Sequence, residues 1–249
     1  MPYKRAVVWF SCGASSAVAS KYAIQKYDNI DIVYCDTGGE HESNMIFLHE
    51  CEEWIGRDIK ILKSKKYTDH FDVFRKTKYL SGIQGARCTT ELKKKLRLEY
   101  QRPDDVHVFG FTLEEQSRAK RFEDYNPELF VDWILIDKGL DKQSCLGILW
   151  QSGIKLPKMY DLGYNHNNCI GCVKGGKGYW NKIRIDFPEH FDRMAKIERE
   201  IEHSIFRDMD TNERIYLDEL SPNAGNVKEE PPITCDLSCG FAMQELKNY

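Results

Sequence analysis

Apolar positions along the chain fall into two rhythms. Short runs at residues 5–10, 31–34 and 59–62 are bounded by polar or turn-forming residues and predict buried strands. Between them, residues 17–26 and 43–55 predict helices. In the second of these, Met45, Phe47, Leu48, Cys51, Trp54 and Ile55 make one apolar face. The alternation continues with helices at 69–76 and 90–100, a strand at 106–111, a helix at 113–124, a fifth strand at 133–136 and a helix at 140–152. Strands and helices in this order predict βαβ units. The expected fold class is α/β, a doubly wound, mostly parallel five-stranded sheet. After Pro157 the rhythm is lost. Residues 160–178 are rich in Gly, Asn, Cys and Lys, residues 179–185 predict a short helix, and Pro188 opens another that runs to about residue 205. The remainder is polar and turn-rich and carries Cys235 and Cys239.

Composition narrows the classes. The 249 residues are 41% hydrophobic and 30% charged, ordinary values for a globular protein. The formal net charge of −3 gives no global attraction to nucleic acid or membrane. Local basic groups remain at Lys93, Lys94, Lys95 and Arg97, and at Lys174, Lys177, Lys182 and Arg184. No apolar run approaches the roughly 20 residues that span a bilayer, and the N-terminal apolar run is too short for a leader. The expectation is a cytoplasmic protein without a membrane partner. Nine cysteines in such a compartment point to metal ligands or reactive thiols. Cys35, Cys51 and Cys145 sit in apolar patterns and read as packing residues.

Two segments carry candidate chemistry at the strand ends. Ser11-Cys12-Gly13-Ala14-Ser15-Ser16 follows the first strand and opens a helix. First-turn amides lack intrahelical partners, and the helix dipole adds positive charge, so such a turn suits a phosphate. An ordinary βα turn with a serine cap reads the same locally. The segment is not a Walker loop or a dinucleotide fingerprint, since the required lysine and glycines are missing. Asp36-Thr37-Gly38 ends the second strand, on the edge where open α/β sheets bind ligands. An acidic residue there suits a ribose or a metal, or a plain capping turn.

The remaining cysteines form a third candidate. Cys169-Ile170-Gly171-Cys172 is a C-x-x-C whose spacing fits zinc, an iron–sulfur cluster or a redox dithiol. Cys235 and Cys239 form a second close pair, and Cys88 follows Arg87. His166 is the one histidine close enough to Cys169 to read as a mixed ligand.

In this order the segments resemble the phosphoadenosine phosphosulfate reductase family, within the adenine nucleotide α-hydrolase (PP-loop) superfamily. The stretch 11–16 is similar to its modified phosphate loop, and Asp36-Thr37-Gly38 to its Asp-Thr-Gly. Arg87-Cys88-Thr89 with Leu92-Lys93 is similar to Arg-Cys-Cys…Leu-Lys, and Glu115-Gln116-Ser117-Arg118-Ala119 to Glu-Gln-Ser…Arg-Ala. Tyr160-Asp161-Leu162-Gly163-Tyr164 leading to Cys169 and Cys172 is similar to Tyr-Asp-x-Gly-Tyr…Cys-x-x-Cys. The resemblance implies a nucleotide-binding domain over 1–155, followed by a Cys-rich loop, helix and tail over 156–249. It implies an adenine nucleotide (adenylyl sulfate, its 3′-phosphorylated form, or ATP) on Ser11, Cys12, Gly13, Ala14, Ser15, Ser16, Asp36, Thr37, Gly38 and Arg118. It also implies a [4Fe–4S] cluster, with zinc as second choice, on Cys88, Cys169 and Cys172. Thr89 replaces the second cysteine of the family pair, which leaves the fourth ligand to Cys235 or Cys239, or an open iron site. Ser238-Cys239-Gly240-Phe241 stands where the reductases carry their attacking cysteine, which makes Cys239 the candidate nucleophile and Cys235 the candidate ligand.

Two reactions are compatible with this set. One is thiol-dependent reduction of adenylyl sulfate or its 3′-phosphorylated form to sulfite, with a thioredoxin-like reductant. The other is ATP pyrophosphatase and sulfurtransferase chemistry with Mg²⁺, thiolating a nucleic acid or a small molecule. A nucleotide sensor without catalysis is the non-enzymatic alternative. A homo-oligomer is compatible with all three.

Overall fold

Successive residues of the first strand enter different cores, and this divides the molecule into layers. The computed structural model describes residues 5–82, 85–231 and 233. Strand β1 (Arg5–Phe10) is buried at every position. Val8 and Phe10 pack on one face with Ile32, Tyr34, Val108, Ala17, Val18, Phe47 and Leu48. Val7 and Trp9 pack on the other with Val33, Cys35, Phe109, Ala119 and Phe122. A sheet apolar on both faces must be covered on both, which is the doubly wound arrangement.

The elements that build it are α1 (Ala14–Lys26), β2 (Ile30–Asp36), α2 (Ser43–Ile55), β3 (Ile59–Lys63) and α3 (His70–Thr77). A small hairpin follows, β4 (Ser81–Gly82) with β5 (Gly85–Ala86). Next come α4 (Arg87–Thr89), a π-helical turn over Thr90–Lys94, and α5 (Lys95–Tyr100). Then β6 (Asp105–Phe109), a 3₁₀ turn over Leu113–Glu115, α6 (Gln116–Tyr125), β7 (Phe130–Asp132), α7 (Ile134–Asp137), α8 (Lys142–Gln151) and α9 (Lys158–Asp161). The described chain closes with α10 (Lys177–Asp186), α11 (Pro188–Glu200) and a second hairpin, β8 (Phe206–Arg207) with β9 (Arg214–Ile215).

The central sheet has five strands in the order β3-β2-β1-β6-β7. Every pairing in it is parallel, with Val8 opposite both Ile32 and Val108. The chain winds outward from β1 to β3 and then crosses back to lay β6 beside β1. That reversal opens a crevice beyond the carboxyl ends of β1 and β6. A third core lies outside the sheet, where Phe71, Phe74, Trp180, Ile183, Met194 and Ile197 join α3, α10 and α11. Cys51 and Cys145 are fully buried and Cys35 nearly so, as packing residues would be. Among the described residues no helix is long and apolar enough to cross a membrane.

Three boundaries differ from the sequence pattern. The fifth strand is Phe130–Asp132, with Val106 opposite Phe130 and Val108 opposite Asp132, while residues 134–137 form a helical turn. A short apolar run such as 133–136 fits a buried helix turn as well as a strand, and Ile134 and Leu135 bury against the α1 side. Helix α1 begins at Ala14 rather than 17, so Ala14, Ser15 and Ser16 are its first turn. Helix α11 stops at Glu200, where Glu202 turns left-handed at φ 54° and the His203 amide returns to the Glu198 carbonyl.

Candidate functional site

The crevice at the sheet's switch point is a cleft of about 650 Å³. Its wall on the β1 side is the phosphate-loop candidate. Ser11, Gly13, Ala14, Ser15 and Ser16 all line it. The loop is braced from within. The amide and hydroxyl of Ser11 both donate to Ser16 Oγ (3.0 and 3.1 Å), and that hydroxyl donates to the Gly13 carbonyl (2.9 Å). Cys12 departs from the others. Its residue is fully buried, its backbone is left-handed at φ 52°, and its carbonyl accepts from Asn167 Nδ2 at 2.8 Å. A left-handed conformation is uncommon outside glycine and marks a backbone held by its surroundings.

Gly110, just past β6, also shapes this wall. A Cβ there would stand 2.6 Å from the Ser16 nitrogen and 2.7 Å from its Cα. Only glycine lets the end of β6 approach the first turn of α1 this closely. Sequence reading missed it, because a glycine inside an apolar strand run carries no mark of the helix it will meet.

The opposite wall is basic and acidic together. Arg118, Arg121, Lys142, Glu114 and Glu115 line it, with His166 alongside. Arg118 pairs with Glu115 and lies over the Phe111 ring at 4.4 Å. Burial, with the charges of Lys142 and Arg118 adding to it, pushes His166 down to about 4. His166 is therefore neutral at physiological pH and offers one ring N–H rather than a charge.

Beneath the loop lies a buried polar network. Glu40 accepts from Tyr34 Oη and Asn44 Nδ2, both at 2.7 Å, and Lys93 approaches its other oxygen at 3.7 Å. Asn44 Oδ1 accepts in turn from Asn167 (2.8 Å). Lys93, which lines the cleft, is thereby tied through Glu40, Asn44 and Asn167 to the loop 11–16.

Asp36, Thr37 and Gly38 are not among the residues lining the cleft. Asp36 pairs with Lys63 (2.7 Å) and caps the Gly38 amide (2.8 Å). Thr37 Oγ1 lies 3.1 Å from Cys169 Sγ, and the Ile170 amide donates to the Gly39 carbonyl at 2.8 Å. The Asp-Thr-Gly segment thus holds the cysteine loop against the sheet edge. The hydroxyl of Tyr179 fastens the same loop from the other side, accepting from the amides of Gly171 (3.1 Å) and Cys172 (3.0 Å) and donating to the Cys169 carbonyl (3.2 Å).

Cys88, Cys169 and Cys172 are buried thiols, and Cys88 and Cys172 share the third core. Among the described residues no group of three or more Cys, His, Asp or Glu side chains is arranged to hold a metal ion. Cys235 and Cys239, the expected fourth ligand and nucleophile, lie outside the described residues. The chain leading toward them is anchored close by. Glu230 accepts from the Gly178 and Tyr179 amides at the start of α10 (2.5 and 3.0 Å), and Asn168 Nδ2 donates to the Ile233 carbonyl (3.1 Å).

Part of the chain is similar to known proteins. Residues 5–119 match the model of the phosphoadenosine phosphosulfate reductase domain. A curated relative, the uncharacterized protein MJ0973 of Methanocaldococcus jannaschii, is 18% identical over 192 residues, covering 76% of this chain and 46% of that protein. The chain thus spans about half the length of the curated relative it matches. A solved structure, phosphoadenylyl-sulfate (PAPS) reductase from Candida auris in a phosphate complex, aligns with a TM-score of 0.46 at 12% identity, covering 65% of this chain and 81% of that one. The matched span runs from β1 through the first turns of α6 and includes the phosphate-loop candidate, Cys88 and Arg118. Residues 5–119 are accordingly similar to the phosphoadenosine phosphosulfate reductase domain.

Proposed function

We propose that the chain is an enzyme that binds an adenine nucleotide in the switch-point cleft and acts on its sulfur. The observation that carries this reading is the braced loop 11–16, whose serines and first-turn amides border a cleft also lined by Lys93, Arg118, Arg121 and Lys142. Helix N-terminal amides and nearby cations together favour a multiply charged anion.

The first reaction is reduction of adenylyl sulfate or its 3′-phosphorylated form. A thiolate, assigned to Cys239, attacks the sulfur of the sulfate group. A sulfur–sulfur bond forms, the sulfur–oxygen bond to phosphate breaks, and the nucleotide leaves with the electron pair. A dithiol of thioredoxin type then attacks the cysteine sulfur, becomes a disulfide, and releases sulfite. The cations of the cleft offset the charge gathering on the departing phosphate. His166, being neutral, can donate to an oxygen there without a prior change of charge.

The second reading is ATP-dependent sulfur transfer. Thr89 favours it, since this buried position beside Cys88 carries no thiol for a paired ligand. ATP would then be cleaved to pyrophosphate with Mg²⁺, and a nucleic acid or small molecule would be the acceptor. A [4Fe–4S] cluster on Cys88, Cys169, Cys172 and Cys235 stands as a separate proposal, tested by the iron and acid-labile sulfide content of protein purified without oxygen. No step above depends on it.

One experiment divides the readings. Protein purified anaerobically is mixed with adenylyl sulfate and a dithiol, or with ATP and Mg²⁺. Release of sulfite and AMP is the expected result. Release of pyrophosphate moves the assignment to sulfur transfer, and nucleotide binding with neither product leaves a sensor.

A further inference from the structure

Among the described residues the Asn167 side chain makes two hydrogen bonds and lacks a third. It precedes Cys169 by two residues, lines the cleft, and is 8% exposed. Its Nδ2 donates to the Cys12 carbonyl and to Asn44 Oδ1, each at 2.8 Å. Both partners are acceptors, so the amide cannot be turned over without setting an oxygen against two oxygens. The atom left over, Oδ1, is buried and has no hydrogen-bond partner among the described residues. A buried acceptor without a donor is costly, and a native fold retains one where something else supplies the donor.

Two side-chain donors that border the same cleft are engaged elsewhere. Lys142 Nζ donates to the Asn165 carbonyl and Asn168 Nδ2 to that of Ile233. The phosphate of a bound nucleotide cannot serve, since its ionised oxygens only accept. The donors of a nucleotide lie beyond the phosphate, on the ribose hydroxyls and the adenine amino group.

We propose that Asn167 is a nucleoside-binding residue: its amide nitrogen holds the left-handed Cys12 peptide of the phosphate loop, and its Oδ1 accepts a hydrogen bond from a hydroxyl or amino donor of the ligand. This rests on the nucleotide reading of the cleft. It makes one side chain report on both halves of the ligand. It also places the sensor of occupancy on the loop that carries Cys169, which contacts Thr37 at the sheet edge.

The test is equilibrium binding to the full chain at fixed pH and salt. The probes are AMP, pyrophosphate, 2′-deoxy-AMP, 3′-deoxy-AMP and IMP, which lacks the amino donor. In the wild type, one of the three analogues is expected to bind at least tenfold more weakly than AMP. In Asn167→Ala, AMP weakens at least tenfold more than pyrophosphate does, and the discrimination against that analogue disappears. Equal loss for AMP and pyrophosphate in the variant reduces Asn167 to a prop for the loop and overturns the proposal. So does a wild type that binds all three analogues as tightly as AMP, a result that needs no variant to fold. A wild type that binds pyrophosphate but not AMP defeats the nucleotide reading itself, and this proposal with it.

Discussion

Gly110 touches the amide end of Ser16 so closely that a single added methyl would collide with it, at 2.6 Å from the nitrogen. The strand that closes the switch point and the helix that follows the loop 11–16 meet through bare backbone. Gly110→Ala should therefore push the first turn of α1 outward. Overpacking of this kind costs about 1–3 kcal/mol. The expected outcome is a lower midpoint in denaturant unfolding and a loss of nucleotide affinity larger than the loss of stability alone explains. Unchanged affinity for AMP would separate the loop from the cleft.

Tyr179 governs the cysteine loop through its hydroxyl. Tyr179→Phe removes one oxygen and leaves the Gly171 and Cys172 amides and the Cys169 carbonyl without this partner. Orphaned buried groups cost about 1–3 kcal/mol. Amide exchange at residues 171 and 172 should accelerate, while exchange in β1 and β6 should be preserved. A uniform change across the molecule would mean that the ring, not the hydroxyl, does the holding.

The packing thiols should be chemically quiet. Burial pushes Cys35 and Cys51 up to about 12 and Cys145 up to about 11. Thiolate is the reactive form, so alkylation by iodoacetamide at pH 8 should be at least about tenfold slower at these three in the native protein than in denaturant. Peptide mass spectrometry reads each site separately. Cys35 is the sharpest case, because it borders the cleft yet is only 5% exposed.

Glu198 makes stability depend on pH in an unusual sense. It is fully buried between the Ile205 and Leu217 amides, both donating at 2.6 Å. Burial, opposed by those amides, raises it from 4.5 to about 7. A folded-state value above the unfolded one means that the folded chain holds the proton more tightly. Its contribution is complete below pH 4.5 and fades as pH rises through 7. Unfolding midpoints from pH 4.5 to 8 should fall more steeply in the wild type than in Glu198→Gln. Parallel slopes would remove Glu198 from the account.

The central sheet was readable in the sequence because its signal is local. Each strand is a compact apolar run, and each helix repeats its apolar face every three or four residues. Where the two signals coincide, as at Trp133 to Ile136, the reading slipped from the true strand at Phe130–Asp132 onto the helical turn beside it. The strand-to-helix junction at 11–16 was visible for the same local reason. Glu40 and Asn167 were not, because their meaning lies in partners far along the chain. Asn167 reaches back 155 positions to Cys12 and 123 to Asn44. An asparagine in a turn-rich stretch looks like any other until the fold sets it against a carbonyl. The Asp-Thr-Gly segment shows the converse. Its motif was legible, while its contacts run to Lys63 and Cys169 rather than to the cleft.

These long reaches also fix an order of events. All five sheet strands have been made by residue 132, yet the carboxyl ends of β1 and β2 stay uncovered until residues 167–170 arrive to engage Cys12, Thr37 and Gly39. During synthesis the sheet can assemble on the ribosome with its ligand edge still bare. The cleft is then completed only after the sheet it borders, and a nascent chain stopped short of that loop would carry the sheet strands without the finished cleft edge.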